Sequence, residues 1–474
     1  MTHSQLVRPG FSYLKEKDCQ RLHQAALEIL RRTGCKVQDI EGRKLLTDAG
    51  AILEGDELVK FPADLVEAAL KSAPSSIILC KRGSSETGAI LREGHVNFGT
   101  GSDTVNLHHP TEGRRKFKLD DVAACARLVD GVEQLAFCMS MGIPSELPPE
   151  QHYVSQYATL VENTTKPIVF VCDNLQECEK IVEIATAAAG SREKLRLNPT
   201  LLLYSEPITP LTHNVTSTQK LLYMAKERLP IVHSPAPMMG GTAPVTLAGG
   251  LAIGLAEILS SLVMHQLKAK GAPFVFGAGV HHLDMKTTIS VYGAPEFQLA
   301  RAAVADMARH YNLPSWGYSS CSDAPVFDAQ AVSDATYQIR DALMMGANLV
   351  HDVGYIEAGI AFSPELVVLS GELIDMHRRF TKGMVISDET LALGVIHEVG
   401  PGGSFLTTEH TMKHFKDYWF PSLFERRRYE KWSKKGSLSF MDKIRDKTVS
   451  LMNEHKPEAL PDKVKEQIKS IIKD

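Results

Sequence analysis

Eight short apolar segments recur along the chain, and each has a polar or aromatic residue at or near its end. They occupy residues 96–100, 135–139, 168–172, 201–206, 231–234, 274–278, 315–319 and 349–354. Helical stretches separate them at a spacing of roughly 30 to 40 residues, which is the size of one strand–helix unit. Eight such units close into a parallel barrel. The pattern therefore predicts an α/β protein built on a (β/α)8 TIM barrel.

The 474-residue chain is longer than one barrel requires, so we expect extensions at both ends. Residues 1–95 are predicted to form an N-terminal module of helices and a β-hairpin, and residues 96–380 the barrel. Residues 381–474 are predicted to form a C-terminal helical extension, interrupted by Pro457 and Pro461. We interpret this extension as a packing or oligomer arm, which favours a homo-oligomer.

The charge and apolar patterning exclude several classes of partner. A net charge of -4 gives no excess of Lys and Arg for nucleic acid. The N-terminus lacks the apolar core of a signal peptide, and the most apolar stretch, 247–264, contains Glu257 and several glycines. We interpret that stretch as a buried barrel helix. These features predict a cytoplasmic protein that binds neither nucleic acid nor a membrane.

The cysteines indicate reduced, buried thiols. The chain has 8 of them, scattered, with no Cys-x-x-Cys and no adjacent pair. Enzymes that methylate thiols often hold zinc with an adjacent Cys-Cys pair and a third ligand. This sequence has no such pair, so we expect no zinc chemistry of that kind here.

The candidate site residues lie at or near the ends of the predicted strands, because barrel active sites form at the carboxyl ends. For substrate binding we select Phe98, Glu206, His233, Phe276, Trp316, His351 and Tyr355. Several rings around a barrel mouth could hold a quaternary ammonium through cation–π attraction of roughly 0.5–2 kcal/mol per ring. The alternative is that these rings only fill the core. The pattern assigns no catalytic residue.

The two histidines and the glutamate have more than one interpretation. Glu206 could supply a counter-charge or accept hydrogen bonds from its loop, while His233 and His351 could contact a substrate carboxylate or only stabilise the core. A His-Glu-His metal set is an alternative, and it would suit a metal-dependent barrel lyase or hydrolase. We expect no bound metal. His351 and Asp352 form a weak pair, since strand neighbours point to opposite faces.

Four longer stretches resemble one known family. They are Pro237-Met-Met-Gly-Gly-Thr-Ala-Pro-Val-Thr-Leu-Ala-Gly-Gly-Leu-Ala252, residues 323–331, residues 400–415, which begin Gly-Pro-Gly-Gly-Ser-Phe, and residues 421–432. Together they resemble the trimethylamine:corrinoid methyltransferase family over most of the chain, to about residue 436. The resemblance implies a (β/α)8 barrel that passes a methyl group from a methylated amine to Co(I) of a separate corrinoid protein.

The resemblance also limits the substrate. Trimethylamine members of the family carry pyrrolysine in the barrel, and this sequence carries none, which disfavours trimethylamine. Members without pyrrolysine resemble demethylases of quaternary amines. We therefore expect glycine betaine as substrate and dimethylglycine as product, with carnitine, γ-butyrobetaine or proline betaine as alternatives. The implied cofactor is a corrinoid (cobalamin) carried by the cognate partner protein and not bound by this chain. A barrel that binds amines without turnover is the remaining alternative.

Overall fold

Eight parallel strands form a closed barrel in the computed structural model, which describes residues 12–473. The strands are β1 (Asn97–Gly99), β2 (Leu135–Phe137), β3 (Ile168–Phe170), β4 (Leu201–Ser205), β5 (Ile231–His233), β6 (Phe274–Val275), β7 (Trp316–Tyr318) and β8 (Leu349–His351). Strand β8 pairs with β1 through Leu349 and Asn97, and the single parallel bridges Cys138–Ile168 and Phe276–Ser315 join the two four-stranded halves into a ring. All of the predicted strands are present, so the predicted TIM barrel is confirmed.

A helix follows each strand and covers the outside of the barrel. These helices are α1 (Leu119–Gly131), α2 (His152–Asn163), α3 (Leu175–Ala189), α4 (Val215–Glu227), α5 (Leu247–Lys268), α6 (Pro295–His310), α7 (Ala329–Met345) and α8 (Pro364–Thr381). The side chains of Asn174, Asn214 and Asp328 accept hydrogen bonds from backbone N–H groups in the first turns of α3, α4 and α7. Such caps explain why these helices begin where they do.

Helix α5 is the most apolar segment of the chain. Among residues 12–473 it is the one helix long and apolar enough to cross a membrane, but 72% of its most apolar 18-residue window is buried inside this structure. Its position between the barrel and the N-terminal helices accounts for that composition, because both sides of it contact protein.

The N-terminal module closes the amino-terminal end of the barrel. A hairpin of Ile77–Cys80 and Thr87–Leu91 places Leu79 and Leu91 in the same apolar cluster as the inner residues of the strands. Before this hairpin come helices Glu16–Glu28, Ile40–Asp48 and Ala63–Ser72, a π-helical turn at Ile29–Thr33, and short strands Cys35–Val37, Ile52–Glu54 and Leu58–Lys60. The hairpin side chains thus fill the amino-terminal end of the barrel interior, so the interior can open only at the carboxyl ends of the strands.

The loops at those carboxyl ends carry small sheets. One contains Asn106–His109, Gly113–Lys116, Tyr355–Ile356 and Ala361–Phe362, and another contains Met238–Met239, His281–Leu283 and Ser290–Val291. Strand Thr212–His213 joins the N-terminal sheet, and the remaining short helices are Pro149–Gln151, Arg192–Leu197 and Glu357–Gly359. These loops extend the wall of the barrel mouth.

The C-terminal extension begins with short helices and ends with two longer ones. The short helices are Asp388–Leu391, Leu393–Val399, Glu409–His414, Phe415–Asp417 and Tyr429–Ser433. Helix Phe440–Glu454 packs on α1 and α8, and helix Asp462–Lys473 packs on α2 and α3. The division of the chain at residues 95 and 380 into separate domains stays a prediction.

Candidate active site at the barrel mouth

Glu206 lies directly after β4, at the carboxyl end of the barrel. Its side chain keeps exposed surface, yet surrounding protein still desolvates its carboxyl and raises its pKa above the usual value. The Oη of Tyr204 donates a hydrogen bond to Glu206 Oε1, which opposes that rise. A carboxyl group that is accessible and also largely surrounded by protein is placed to meet a ligand at the barrel mouth.

Aromatic rings from β4, β7 and β8 form the inner wall beside Glu206. Ring centroids of Trp316 and His351 are 4.2 Å apart, and those of Tyr318 and His351 are 4.3 Å apart. Tyr204 adds its ring at 5.5 Å from Trp316 and 5.8 Å from His351. Trp316 pairs with Leu349 and Tyr318 with His351, so these side chains share the inner face of the sheet. Here the structure brings together three of the seven predicted residues.

A second group of rings from the loop after β6 and from α6 covers the mouth. His281 stacks on Phe297 at 5.0 Å and meets Tyr318 edge-on at 6.0 Å. Tyr292 contacts Tyr355 at 6.4 Å, and the Tyr355 hydroxyl donates to a backbone carbonyl of the loop after β1. Tyr355, the fourth predicted residue at the mouth, therefore belongs to the outer part of this wall.

Three carboxyl groups surround these rings. Burial raises the pKa of Asp103 to about 6 and that of Asp352 well above its usual value, and the nearby Glu206 charge raises the Asp352 pKa further. Asp103 and Glu206 also interact, since the Asp103 charge raises the Glu206 pKa. The ionised, desolvated carboxylates of Asp103 and Glu206 repel each other, and a cation that enters stabilises both. The mouth is therefore suited to a positively charged ligand.

His351 and Asp352 form a neutral pair. The Nδ1 of His351 donates to the Gly317 carbonyl at 2.8 Å, which leaves Nε2 as an acceptor, 3.2 Å from Asp352 Oδ1. Burial lowers the pKa of His351 to about 3 and raises that of Asp352, so a protonated Asp352 can donate to Nε2. The expectation that strand alternation separates these neighbours is wrong, because Asp352 has a left-handed φ of 71° that turns its side chain back.

Two cations lie close to the carboxyl groups. Lys220 on α4 lowers the pKa of both Asp103 and Glu206 by its charge, and its Nζ donates to the Cys172 carbonyl after β3. Arg301 on α6 lies over the Phe297 ring at 5.1 Å, and its charge lowers the Asp352 pKa. Burial in turn lowers the pKa of Arg301.

Phe98, His233 and Phe276 lie on the outer face of the barrel, among the helices. His233 is fully buried and stacks on His213 at 6.3 Å, and the Phe276 ring meets Tyr311 at 5.5 Å. Phe98 belongs to the cluster that packs against the helices. The inner-face position expected for these three residues is therefore wrong, since side chains of one strand alternate between faces. The substrate contacts predicted for them are not part of the proposal below.

Six residues that the structure places at the mouth are not among the seven selected from the sequence. They are Tyr204, Tyr318, Asp103, His281, Tyr292 and Asp352, of which Asp352 enters there only as the neighbour of His351. Tyr204 and Tyr318 could have been selected, because they lie two residues from Glu206 and Trp316 on the same strand ends and therefore on the same faces. The other four lie in loops or directly after a strand, where no periodic pattern predicts their position.

No group of three or more His, Cys, Asp and Glu side chains within residues 12–473 has the arrangement of a metal site. His233 and Glu206 lie on opposite faces of the barrel wall, so the His-Glu-His set considered from the sequence does not assemble.

Comparison with known proteins gives a consistent result. The profile of the trimethylamine methyltransferase (MTTB) family matches residues 3–474. Trimethylamine methyltransferase MttB of Desulfitobacterium hafniense (strain DSM 10664 / DCB-2) is 30% identical over 469 residues, which cover 98% of this chain and 94% of that protein. Glycine betaine methyltransferase of Desulfitobacterium hafniense (strain Y51) is 26% identical over 467 residues, which cover 98% and 97%.

A solved structure shares the fold. The Methanosarcina barkeri monomethylamine methyltransferase (MtmB) matches with a TM-score of 0.51 at 13% identity, over 94% of this chain and 90% of that one. At this identity the likeness concerns the fold alone.

Proposed function

The chain belongs to the trimethylamine methyltransferase (MTTB) family, and we propose that it transfers a methyl group from a quaternary amine, glycine betaine in the first place, to the corrinoid of a separate protein. Methyl transfer from a methylated amine is what the family membership establishes. The choice of a quaternary amine, the identity of the corrinoid protein and a cytoplasmic location are our proposals.

The observation that carries the proposal is the combination of rings and carboxyl groups at the barrel mouth. Trp316, Tyr204 and His351 present ring faces within a few ångströms of one another, and Glu206 supplies negative charge at the same place. A trimethylammonium group has no N–H to donate, so cation–π contacts and nearby carboxylates are the interactions that recognise it. Tyr292 and Tyr355 extend the same wall outwards.

The residues of this chain position the substrate more than they take part in bond making. The N–CH3 bond breaks with its electron pair left on nitrogen, so the positively charged amine leaves as a neutral tertiary amine and needs no proton. The corrinoid of the partner supplies the nucleophilic cobalt that accepts the methyl group. The protein contributes alignment of that bond towards the mouth and exclusion of water. Ring contacts of moderate strength suit this role, because very tight binding of the cationic ground state would slow the reaction.

The carboxylate of a betaine requires a positively charged contact. His351 has both ring nitrogens engaged within the protein, and His233 faces the helices, so neither is placed to donate to a carboxylate at the mouth. We propose Lys220, whose charge acts on both Asp103 and Glu206, as the group that attracts the substrate carboxylate. The distance between Lys220 and the ring wall would then select among glycine betaine and the longer carnitine and γ-butyrobetaine.

The test is anaerobic incubation of the protein with Co(I) corrinoid on its cognate partner protein. Glycine betaine, carnitine, γ-butyrobetaine, proline betaine and trimethylamine are offered separately. Methylated corrinoid is followed by its visible spectrum and the demethylated amine by mass spectrometry, with a reaction lacking the partner as control. Turnover of a quaternary amine but not of trimethylamine supports the proposal. Turnover of trimethylamine alone, or of none of the five, contradicts it.

A further inference from the structure

A turn in the loop after β8 has an unusual backbone. Glu357 and Ala358 have left-handed φ angles of 53° and 52°, and Gly359, which follows them, has a φ of 86°. Residues with a Cβ disfavour this region and enter it singly, because the Cβ approaches the following carbonyl oxygen. Glycine adopts it without that strain. Residues 357–359, called the strained turn from here on, must therefore be held by contacts with the rest of the protein.

The side chain of Glu357 holds one side of the strained turn. Its carboxylate accepts a hydrogen bond from His108 Nε2 at 2.7 Å and two from Arg114, from Nε at 2.7 Å and from Nη2 at 2.9 Å. His108 and Arg114 lie directly opposite one another on the hairpin that follows β1. The Arg114 guanidinium also keeps the pKa of Glu357 below its usual value, so the group is ionised at neutral pH. Bidentate contacts between arginine and a carboxylate are among the stronger hydrogen-bonded contacts in proteins.

Main-chain hydrogen bonds hold the other side of the strained turn. The N–H of Glu357 donates to the carbonyl of Ala324 at 2.9 Å, and the N–H of Ala358 donates to that of Ser322 at 3.1 Å. Both acceptors belong to the loop after β7. The strained turn thus joins the loops that follow β1, β7 and β8. Glu357 contributes a side chain to these contacts, so a substitution there weakens them without altering the main chain.

The strained turn lies against the outer part of the ring wall at the mouth. A Cβ on Gly359 would lie 3.3 Å from Tyr292 Oη and 3.5 Å from Tyr355 Cδ2, so the backbone there touches both rings. The two rings meet edge-on with their centroids 6.4 Å apart. Tyr355 precedes the turn by two residues, and its hydroxyl donates to the Ser102 carbonyl. A change of φ in the turn would therefore displace Tyr355 and remove the support of Tyr292.

We propose that Glu357 is a positioning residue, which keeps the strained turn closed and thereby holds Tyr355 and Tyr292 in the ring wall. This inference rests on the proposed function, which assigns that wall to the substrate cation. Glu357 acts through the turn and not by contact with the substrate. Without its charge the turn relaxes, and only a fraction of the molecules keeps the complete wall. The apparent affinity then falls by that fraction, while molecules that have bound substrate are closed and turn over at the normal rate.

The kinetic test compares E357Q with E112Q in the full chain. Glutamine keeps the shape of the Glu357 side chain but loses the charge and one acceptor oxygen. Glu112 contacts Arg115 at 2.6 Å in the same hairpin and is exposed, so E112Q makes the same change outside the turn. For the methylated amine that the wild type demethylates, we expect E357Q to raise KM about fivefold to twentyfold with kcat within about twofold. E112Q should leave both constants unchanged. A lower kcat at constant KM, which loss of folded protein would give, or equal constants in both variants overturns the proposal.

Replacement of Ala358 by glycine tests the role of the strain. Glycine adopts a φ of 52° without the Cβ penalty, so E357Q/A358G should keep more molecules closed than E357Q does. We expect this second change to return KM to within about threefold of the wild type. Glycine cannot replace a missing negative charge, so restoration excludes a direct attraction between Glu357 and the substrate. A KM that A358G leaves as high as in E357Q overturns the proposal.

Hydrogen exchange without substrate separates this inference from the proposed function. The amides of Glu357 and Ala358 are hydrogen-bonded in the closed turn, and peptides that contain them should exchange at least about tenfold faster in E357Q than in the wild type or E112Q. If this difference is present but the wild type demethylates no quaternary amine, the result supports the role of Glu357 in the turn and refutes the proposed function. Equal exchange in the three proteins overturns the inference, whatever the substrate is.

Discussion

Replacement of Glu206 by glutamine tests the electrostatic part of the proposed site. E206Q keeps the size of the side chain and its ability to accept from the Tyr204 hydroxyl, while it removes the negative charge. The variant should still fold, because the Glu206 side chain keeps exposed surface within the cavity. What it loses is the attraction between the carboxylate and a cationic substrate.

The size of that loss follows from the distance. An ammonium nitrogen in contact with the Tyr204 ring lies about 5 Å from the carboxylate that the Tyr204 hydroxyl touches. Two unit charges at about 5 Å interact by about 3 kcal/mol with an effective dielectric constant near 20. Solvent in the open cavity reduces this value, so we expect 1.4–3 kcal/mol, which is a tenfold to 150-fold increase in KM.

The assay compares glycine betaine with 3,3-dimethylbutyrate, its uncharged isostere at the trimethyl end. In the wild type the ratio of the isostere's inhibition constant to KM for glycine betaine should be large, and in E206Q it should fall about tenfold or more. E86Q, in the hairpin at the opposite end of the barrel, makes the same chemical change at an exposed carboxylate and serves as the control. An unchanged ratio in E206Q would refute the reasoning, since the two ligands differ chiefly in charge.

Three further changes have expected outcomes. A Cβ on Gly99 would lie 2.5 Å from the Phe137 ring, so G99A should lower the free energy of unfolding by about 1–3 kcal/mol in urea denaturation. Gly394 has open space around it, so the control G394A should change the free energy of unfolding by less than about 0.5 kcal/mol. Burial lowers the pKa of His265 from 6.5 to about 3, so the folded state disfavours the protonated imidazole. The free energy of unfolding should therefore fall as pH drops below 6.5, by about 2 kcal/mol at pH 5. The urea midpoint of H265Q should lack this part of the pH-dependent shift. The carboxyl of Asp103 has a pKa of about 6 and attracts a cation only when ionised, so KM for the quaternary amine should rise as pH falls through 6, and D103N should flatten that profile.

The barrel could be predicted because its pattern is local. Each strand is a short apolar run that a polar or glycine-rich loop ends, and each helix follows with its own cap, such as Asn174 before α3. None of these features needs information from distant parts of the chain. The C-terminal extension differs, because residues 382–418 carry many large apolar side chains that stay exposed in the folded chain. Its exposure becomes visible only once the rest of the fold is in place.

The inner and outer faces of the strands could not be predicted in this way. Ile231-Val-His233 and Leu349-Val-His351 have nearly the same sequence, yet His233 faces the helices and His351 the cavity. The difference arises from register. His233 pairs with Ser205, so the inner position beside Tyr204 falls to Val232, while His351 pairs with Tyr318 on the inner face.

Register in a closed barrel is set by the stagger of all its strands together, which no single segment contains. A strand-end residue is therefore a candidate with two possible faces, and its neighbour two positions away is always a candidate for the same face. By that rule Tyr204 accompanies Glu206, and Trp316 accompanies Tyr318. Three of these four residues are rings, and the fourth supplies the negative charge beside them. A cation site at this mouth can therefore be inferred from the ends of β4 and β7, once one residue of each strand is known to lie on the inner face of the barrel.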